Sequence, residues 1–444
     1  LERKAVCGIT LALLILGMLT LSRSIQKVKA EPKMWTVDDD GPADFHTIQE
    51  AINAANLGDT IYVYEGTYRE NVVLNKTVSL VGEDKRVTVI DGSGRDNAVT
   101  ITANNTKISG FRIENRGSHL PVDLHSGIQA INSTGNKITD NIVTNNAGFG
   151  IVLENSDHNV LLYNLVTNNT EMGIYLEYSS HNSLLCNKVL TNERDGIRLF
   201  RSFNNSVIGN TIINNENGLW LDLSSNNNVV SNTITDNLKI GVWLASSSNN
   251  FITNNNVANN GFDGIDISFS SSNNDIIGNT IAGNKRGIVL FFAQDKNPSD
   301  NSIYHNNFVD NQDQAYINVL FRNNWDDGYP SGGNYWSDYT GVDLYSGPYQ
   351  NVTGGDGIGD APYVIDENNI DRYPLMKPWK PPIPSDINKD GIVDIADIVL
   401  AALAFGSYPE HPRWNPIADI DQDGKVDIDD IVLIATNFGK KYIV

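Results

Sequence analysis

Residues 150–156 read GIVLENS, residues 173–179 GIYLEYS and residues 196–202 GIRLFRS. Each string alternates apolar and variable positions with period two, the pattern of a short strand with one face buried. They belong to a longer series. The string Gly-aliphatic-variable-apolar starts at Gly127, Gly150, Gly173, Gly196, Gly218, Gly241, Gly264 and Gly287, at spacings of 23 residues with a single step of 22. Asparagines keep the beat in another phase, at Asn136, Asn159, Asn182, Asn205, Asn227, Asn250, Asn274 and Asn301, each followed five residues later by another, from Asn141 to Asn306. A unit of two or three such strands closed by Gly and Asn turns cannot bury its apolar face alone and must stack on its neighbours. With one unit per coil, equivalent positions lie about 4.8 Å apart, and the asparagines can bond along the axis as amide ladders. A leucine-rich repeat has a similar period but needs a helical segment and Leu-rich spacing that these Asn- and Ser-rich units lack.

Upstream, Thr60 to Arg116 carries strand-like runs without the strict beat, which read as the first coils. Before them, Ile48, Ala51, Ile52 and Ala55 fall at i, i+3, i+4 and i+7, one face of a short helix. A solenoid end is an open sheet edge, and this helix is its natural cover. Farther upstream, Arg3 and Lys4 precede an apolar run from Ala5 to Leu21 and a polar stretch ending Val28-Lys29-Ala30. That is the layout of a secretory signal over residues 1–30, with an uncleaved anchor helix as the alternative. No later segment is apolar for long enough to span a membrane, so a secreted or surface-tethered protein is expected.

The 444 residues include 53 Asp and Glu against 32 Lys and Arg, for a net charge of −21. That excess argues against nucleic acid or an anionic membrane surface as a partner, because like charge repels like. The hydrophobic content of 40% is enough for a real core. Of the two cysteines, only Cys186 lies beyond the signal, so no internal disulfide is expected.

Residues 35–72, WTVDDDGPADFHTIQEAINAANLGDTIYVYEGTYRENV, resemble the opening of right-handed parallel β-helix proteins of the pectinesterase and pectate-lyase type. The Asn/Gly coils resemble the NosD-type branch, a group shared by carbohydrate-binding proteins and sugar hydrolases. Gly333 to Met376 is similar to the closing segment of archaeal cell-surface members. The resemblance implies an all-β fold: an N-terminal cap over residues 31–59, a right-handed parallel β-helix over 60–325 and a closing segment over 326–376. The NosD name also implies copper, which needs clustered Cys, Met or His. Here Met34, Met172 and Met376 are scattered, and His158 and His181 share a register that suits a stacked turn pair.

After a Pro-rich stretch over residues 377–385 that reads as a stiff linker, an oxygen-rich pattern appears twice, 33 residues apart. The first copy places Asp386, Asn388, Asp390, Asp394 and Asp397 at loop positions 1, 3, 5, 9 and 12. The second places Asp419, Asp421, Asp423, Asp427 and Asp430 there. Gly391 and Gly424 occupy position 6, and Ile392 and Lys425 offer backbone carbonyls at position 7. These are calcium loops, each running into an apolar stretch with helical spacing. The pair, over residues 386–440, resembles a type I dockerin, a small all-α module whose partner would be a cohesin-like domain. Positions 10 and 11, which help choose the partner in that family, are the unusual pairs Ile395-Ala396 and Ile428-Asp429.

In each Gly-aliphatic-variable-apolar strand, the variable residue and the one two further on point outward if the aliphatics point in. The first row reads Gln129, Val152, Tyr175, Arg198, Trp220, Trp243, Asp266, Val289. The second reads Ile131, Glu154, Glu177, Phe200, Asp222, Ala245, Ser268, Phe291. Tyr175, Trp220 and Trp243 should therefore form an exposed aromatic strip flanked by Glu154, Glu177, Asp222, Asp266 and Arg198, suited to the flat faces and hydroxyls of sugars. Lateral packing against a loop or another chain is the alternative. For catalysis, Glu154 and Glu177 one coil apart, about 5 Å, match a retaining glycosidase pair; Glu177 and Asp222, about 9–10 Å apart, match an inverting one. A solvated acidic ladder accounts for the same residues. Three functions stay open: a carbohydrate-binding or polysaccharide-degrading protein held in an assembly by a calcium-dependent dockerin, a non-catalytic surface or adhesion protein, and a copper accessory protein.

Overall fold

A computed structural model describes residues 31–116, 125–291, 298–318, 322–380, 385–388, 392–421 and 423–440. The expected signal over residues 1–30, and Asp390 and Gly391 of the first loop, lie outside them.

Each coil contributes three short strands, and the strands stack into three parallel sheets of 12, 11 and 12 strands among the described residues. The first sheet runs from Met34–Val37 to Ser302–Tyr304, the second from Val72–Leu74 to Asp313–Asn318, and the third from Gly66–Tyr68 to Tyr335–Trp336. The chain is therefore a parallel β-helix. It begins inside the segment expected as a cap, because Met34–Val37 pairs in parallel with Thr60–Val63. It also continues past residue 325, where Tyr335–Trp336 pairs with Asn307 and Phe308. Both strands are too short for alternation to announce them.

One aliphatic per strand from the first and third sheets and two from the second point inward. Leu161, Leu184 and Val207 of the first, Val166, Val189 and Ile212 of the third, and Ile174 with Leu176 of the second are all fully buried. Burying each such side chain contributes about 1.5–3 kcal/mol, which a single coil with open flanks could not secure.

Corners are where a solenoid would strand backbone polar groups. The residue before each corner takes a left-handed conformation, as at His158, Tyr163 and Asn168, and the next residue is a buried asparagine. The asparagines form amide ladders. Asn159 Nδ2 donates to Asn182 Oδ1 (3.1 Å), Asn164 Nδ2 to Asn187 Oδ1 (3.0 Å) and Asn169 Nδ2 to Asn192 Oδ1 (2.8 Å). The same oxygens accept the backbone N–H of the previous coil, as Asn182 Oδ1 does from Asn159 N at 2.7 Å. A serine column, Ser156 to Ser179 to Ser202, does this at a fourth corner. The third ladder, from Asn146 to Asn311, and the serine column were not among the expected features.

The short helix Ile48–Ala54 is present, N-capped by Thr47, and its buried Ile48, Ala51 and Ile52 join the solenoid core. At the other end Phe308, Trp336 and Tyr363 stack in sequence, at 4.3 and 4.2 Å between centroids. Asp371 accepts from Asn334 N (2.8 Å), Trp336 Nε1 (2.8 Å) and Tyr373 N (3.1 Å), terminating a ladder in a buried carboxylate. The start of the expected linker is held on the solenoid. Trp379 stacks on His305 at 5.2 Å, and its backbone exchanges two hydrogen bonds with the Asn307 amide. Beyond it, helices Ile395–Ala404 and Ile428–Thr436 share a separate small core of Ile387, Val393, Ala401, Ala404, Ala418, Val426 and Ile434.

Candidate functional site

In-register pairing of the second sheet sets the two outward rows side by side. Glu154 pairs with Glu177, Tyr175 with Arg198, Arg198 with Trp220, Trp220 with Trp243, and Trp243 with Asp266. All the glycan-site and catalytic candidates therefore share one face. They do not stand as exposed as alternation implied. Tyr175, Arg198, Trp220 and Trp243 are half-buried, and Val152, Ala245, Ser268 and Val289 in the same rows are buried. The reason is stacking along the axis. Trp220 and Trp243 lie 4.1 Å apart at 13°, the Arg198 guanidinium lies 3.7 Å from the Trp220 ring, and Tyr175 stacks on Phe149 at 5.5 Å. The rings cover one another's faces, so the strip presents ring edges.

The acids have distinct environments. Asp222 accepts from Arg198 Nη2 at 2.6 Å. Glu154 accepts from Gln129 Nε2 at 3.0 Å. Burial and then the neighbouring Glu154 charge push the Glu177 carboxyl above the usual range, with Arg198 opposing. Burial, then the Asp263 charge, pushes Asp266 up to about 7. Three polar atoms under this face are buried without a hydrogen-bond partner: Arg198 Nε, Trp220 Nε1 and Asp266 Oδ1.

A further row borders the face, formed by the residue before each glycine. Asp195, raised by burial, accepts from Asn217 Nδ2 at 2.8 Å. Asp263 holds Arg286 by two bonds, Nε to Oδ1 at 2.6 Å and Nη2 to Oδ2 at 2.9 Å. Sequence reasoning missed this row, although it keeps the glycine beat.

The copper reading requires soft or imidazole donors in a group. His158 and His181 do stack, 5.0 Å apart and 4° from parallel, but as a pair on a turn. Among the described residues, the groups of three His, Cys, Asp or Glu close enough to share an ion are Asp38, Asp39, Asp40 and Asp419, Asp421, Asp423. Both are all-carboxylate, which suits a hard cation and not copper.

The second of these groups lies in the second loop expected from the sequence to take calcium. Its carboxylate oxygens lie within 4.8 Å of one another. Asp419 accepts from Gly424 N through Oδ2 at 3.1 Å, while its Oδ1 is buried without a partner. Asp430 accepts from Ile420 N (2.6 Å) and Asp427 N (2.8 Å), and Asp397 accepts from Ile387 N (2.7 Å) and Asp394 N (2.8 Å) in the same way. Asp394 and Asp427 cap their helices. A carboxylate has about four lone-pair sites, so these bonds leave capacity for an ion. The residues fit Ca²⁺.

Among known proteins, a cell surface glycoprotein of Methanothermus fervidus is 34% identical over 103 residues, 23% of this chain and 16% of that protein. The A-module of the mannuronan C-5 epimerase AlgE4 of Azotobacter vinelandii superposes with a TM-score of 0.50 at 18% identity, over 62% of this chain and 94% of that one. The Dettilon tailspike protein gives 0.49 at 16% identity, over 63% of this chain and 60% of that one. At such identities the AlgE4 likeness shows the fold alone, a parallel β-solenoid of the right-handed type. The profile of the family described as periplasmic copper-binding protein (NosD) matches residues 52–237 and 193–341, more than half of the sequence, and the chain belongs to the NosD family.

Proposed function

We propose that the protein is an extracellular carbohydrate-binding β-helix, attached to an assembly or surface through a calcium-dependent dockerin-like module. The observation that carries the glycan reading is the outward face of the second sheet, where the half-buried, stacked rings of Trp220 and Trp243 share two outward rows with the partly exposed acids Glu154 and Glu177. Ring edges beside hydrogen-bond acceptors suit a hydroxyl-rich ligand. The cell surface glycoprotein relative accords with an outer location.

Docking is supported by the C-terminal helices. Ile395, Val399 and Leu403 on one and Ile428 and Val432 on the other are exposed at helical spacing, leaving an apolar stripe on each for a cohesin-like partner. Asp386, Asn388, Asp390, Ile392, Asp394 and Asp397 would hold one Ca²⁺, and Asp419, Asp421, Asp423, Lys425, Asp427 and Asp430 the other.

A glycan array on the full chain, followed by product analysis on any glycan that binds, tests the reading. Binding with new products assigns catalysis to Glu154, Glu177 or Asp222. Binding without products leaves a surface or adhesion protein, and no binding removes the glycan reading.

A further inference from the structure

We infer that the outward face between Glu154 and Asp266 selects uncharged polysaccharides and turns polyuronates away. This rests on the glycan reading of that face and adds the charge class of the ligand.

The basic side chains in the outward rows and the bordering row, from Ser126 to Tyr316, are Arg198 and Arg286. Both are already paired. Arg198 donates to Asp222 at 2.6 Å and lies over Trp220, and Arg286 holds Asp263 and lies 5.0 Å from the Tyr316 ring. Arg201, beside the face, donates to the Tyr178 hydroxyl at 2.8 Å and lies against the Phe200 ring. At the edge, Arg194 pairs with Glu171 at 2.9 Å and Lys239 pairs with Glu216. The carboxylates are not matched. Glu154 and Glu177 are adjacent rungs, partly exposed, and neither is in an ion pair among the described residues. A cleft of about 330 Å³ in the turns before the face adds Glu193 and Asp236 to its wall, beside the Glu216 already paired with Lys239.

A sugar carboxylate laid on this surface would meet acceptors. It offers no proton to Glu154 or Glu177, and the like charges repel. A neutral sugar hydroxyl has a proton to give, so it can donate to Glu154 or Glu177 where a carboxylate cannot. These acceptors recur on adjacent coils of one stack, which favours a ligand with repeating hydroxyls over an isolated monosaccharide.

The test is direct binding of the full chain to a neutral glucan or mannan, to a polyuronate such as alginate, and to a glucosamine polymer, at low and high salt. The neutral polymer should bind with little salt dependence. The polyuronate should bind at least about tenfold more weakly at low salt, and the gap should narrow as salt screens the face. The double variant Glu154→Gln, Glu177→Gln should narrow it too, with an unchanged melting temperature showing that the fold is kept. Equal or tighter binding of the polyuronate, tighter binding of the glucosamine polymer, or an unchanged gap in the double variant overturns the inference. Binding of none of the three removes the glycan reading beneath it.

Discussion

The indole rings of Trp220 and Trp243 lie face to face, with centroids 4.1 Å apart and planes 13° from parallel. Their strands pair in register, so the rings occupy the same position on adjacent coils, and a rise of about 4.8 Å leaves no space between them. Each ring is packing surface for the other. Arg198 covers the remaining face of Trp220, and Trp243 Nε1 is engaged by Ser268 Oγ at 2.9 Å. A ligand on this strip meets indole edges and the polar atoms around them, so recognition rests on hydrogen bonds more than on ring-to-ring stacking.

Replacing Trp220 by alanine should therefore cost stability as well as binding. A half-buried stacked ring contributes about 1–2 kcal/mol through area and ring geometry, less than a fully buried one. Thermal unfolding of Trp220→Ala should show a measurable drop, and Trp220→Ala with Trp243→Ala should abolish glycan binding. A double variant that melts like the parent would mean that the rings do not pack as described.

The asparagine ladders predict larger effects. Asn210 is 1% exposed; its Nδ2 donates to Leu184 O (2.8 Å) and Asn232 Oδ1 (3.0 Å), and its Oδ1 accepts from Asn187 N (2.8 Å). Asn210→Ala strands a buried donor and a buried acceptor at once, at a cost of about 2–4 kcal/mol. Denaturant unfolding would measure it. A loss below a few tenths of a kcal/mol would show that the corner rearranges or admits water.

The coil repeat was legible because stacking ties sequence period to geometry: one coil is one unit, and the glycine and asparagine positions cannot drift. The third ladder, at Asn169, Asn192, Asn215 and Asn237, kept the same beat five residues after the second and was open to the same reading. Ring exposure was not legible. Alternation tells which way Trp220 points, and only the neighbouring coil tells what lies on its face. Asp195, Asp263 and Arg286 escaped because each precedes the glycine from which the alternation is read: Asp195 lies in the turn before its strand, and Asp263 and Arg286 open theirs. The ion pair between Arg198 and Asp222 joins different rows on adjacent coils, a diagonal that row-by-row reading does not show.

Asp266 gives a pH dependence with a defined sign. Its carboxyl is raised to about 7, by burial first and then by Asp263, whereas an unfolded aspartate ionises near 3.9. Between those values the folded state holds a proton that the unfolded state has lost, so this group's contribution to stability falls as pH rises from about 4 to about 7. Asp266→Asn cannot ionise and should lose that slope. The check is melting temperature against pH for both proteins; the difference should grow in favour of the variant up to about pH 7 and then level. Asp371, also raised to about 7 by burial, acts in the same direction in both proteins and cancels in the comparison.

Calcium should govern the C-terminal helices and leave the solenoid alone. Asp419, Asp421 and Asp423 crowd their carboxylates together, and burial with the charges of Asp430, Asp423 and Asp421 pushes the Asp419 carboxyl above its usual range. Without a cation that repulsion opposes a fold whose core is small, with Val393, Ala401, Val426 and Ile434 among its few fully buried apolar residues. An ion that binds only the folded form stabilises it by mass action. In the full chain, chelator should remove most of the helical signal and leave the β signal of the coils intact, because those strands are held by ladders and aliphatic stacking without metal. Adding about two Ca²⁺ per chain should restore it. Asp386→Ala and Asp419→Ala should each abolish one site in a calorimetric titration, and capture of a cohesin-like domain should vanish in chelator. Titration with no Ca²⁺ uptake, or an unchanged helical signal in chelator, would remove the calcium loops and the docking role built on them.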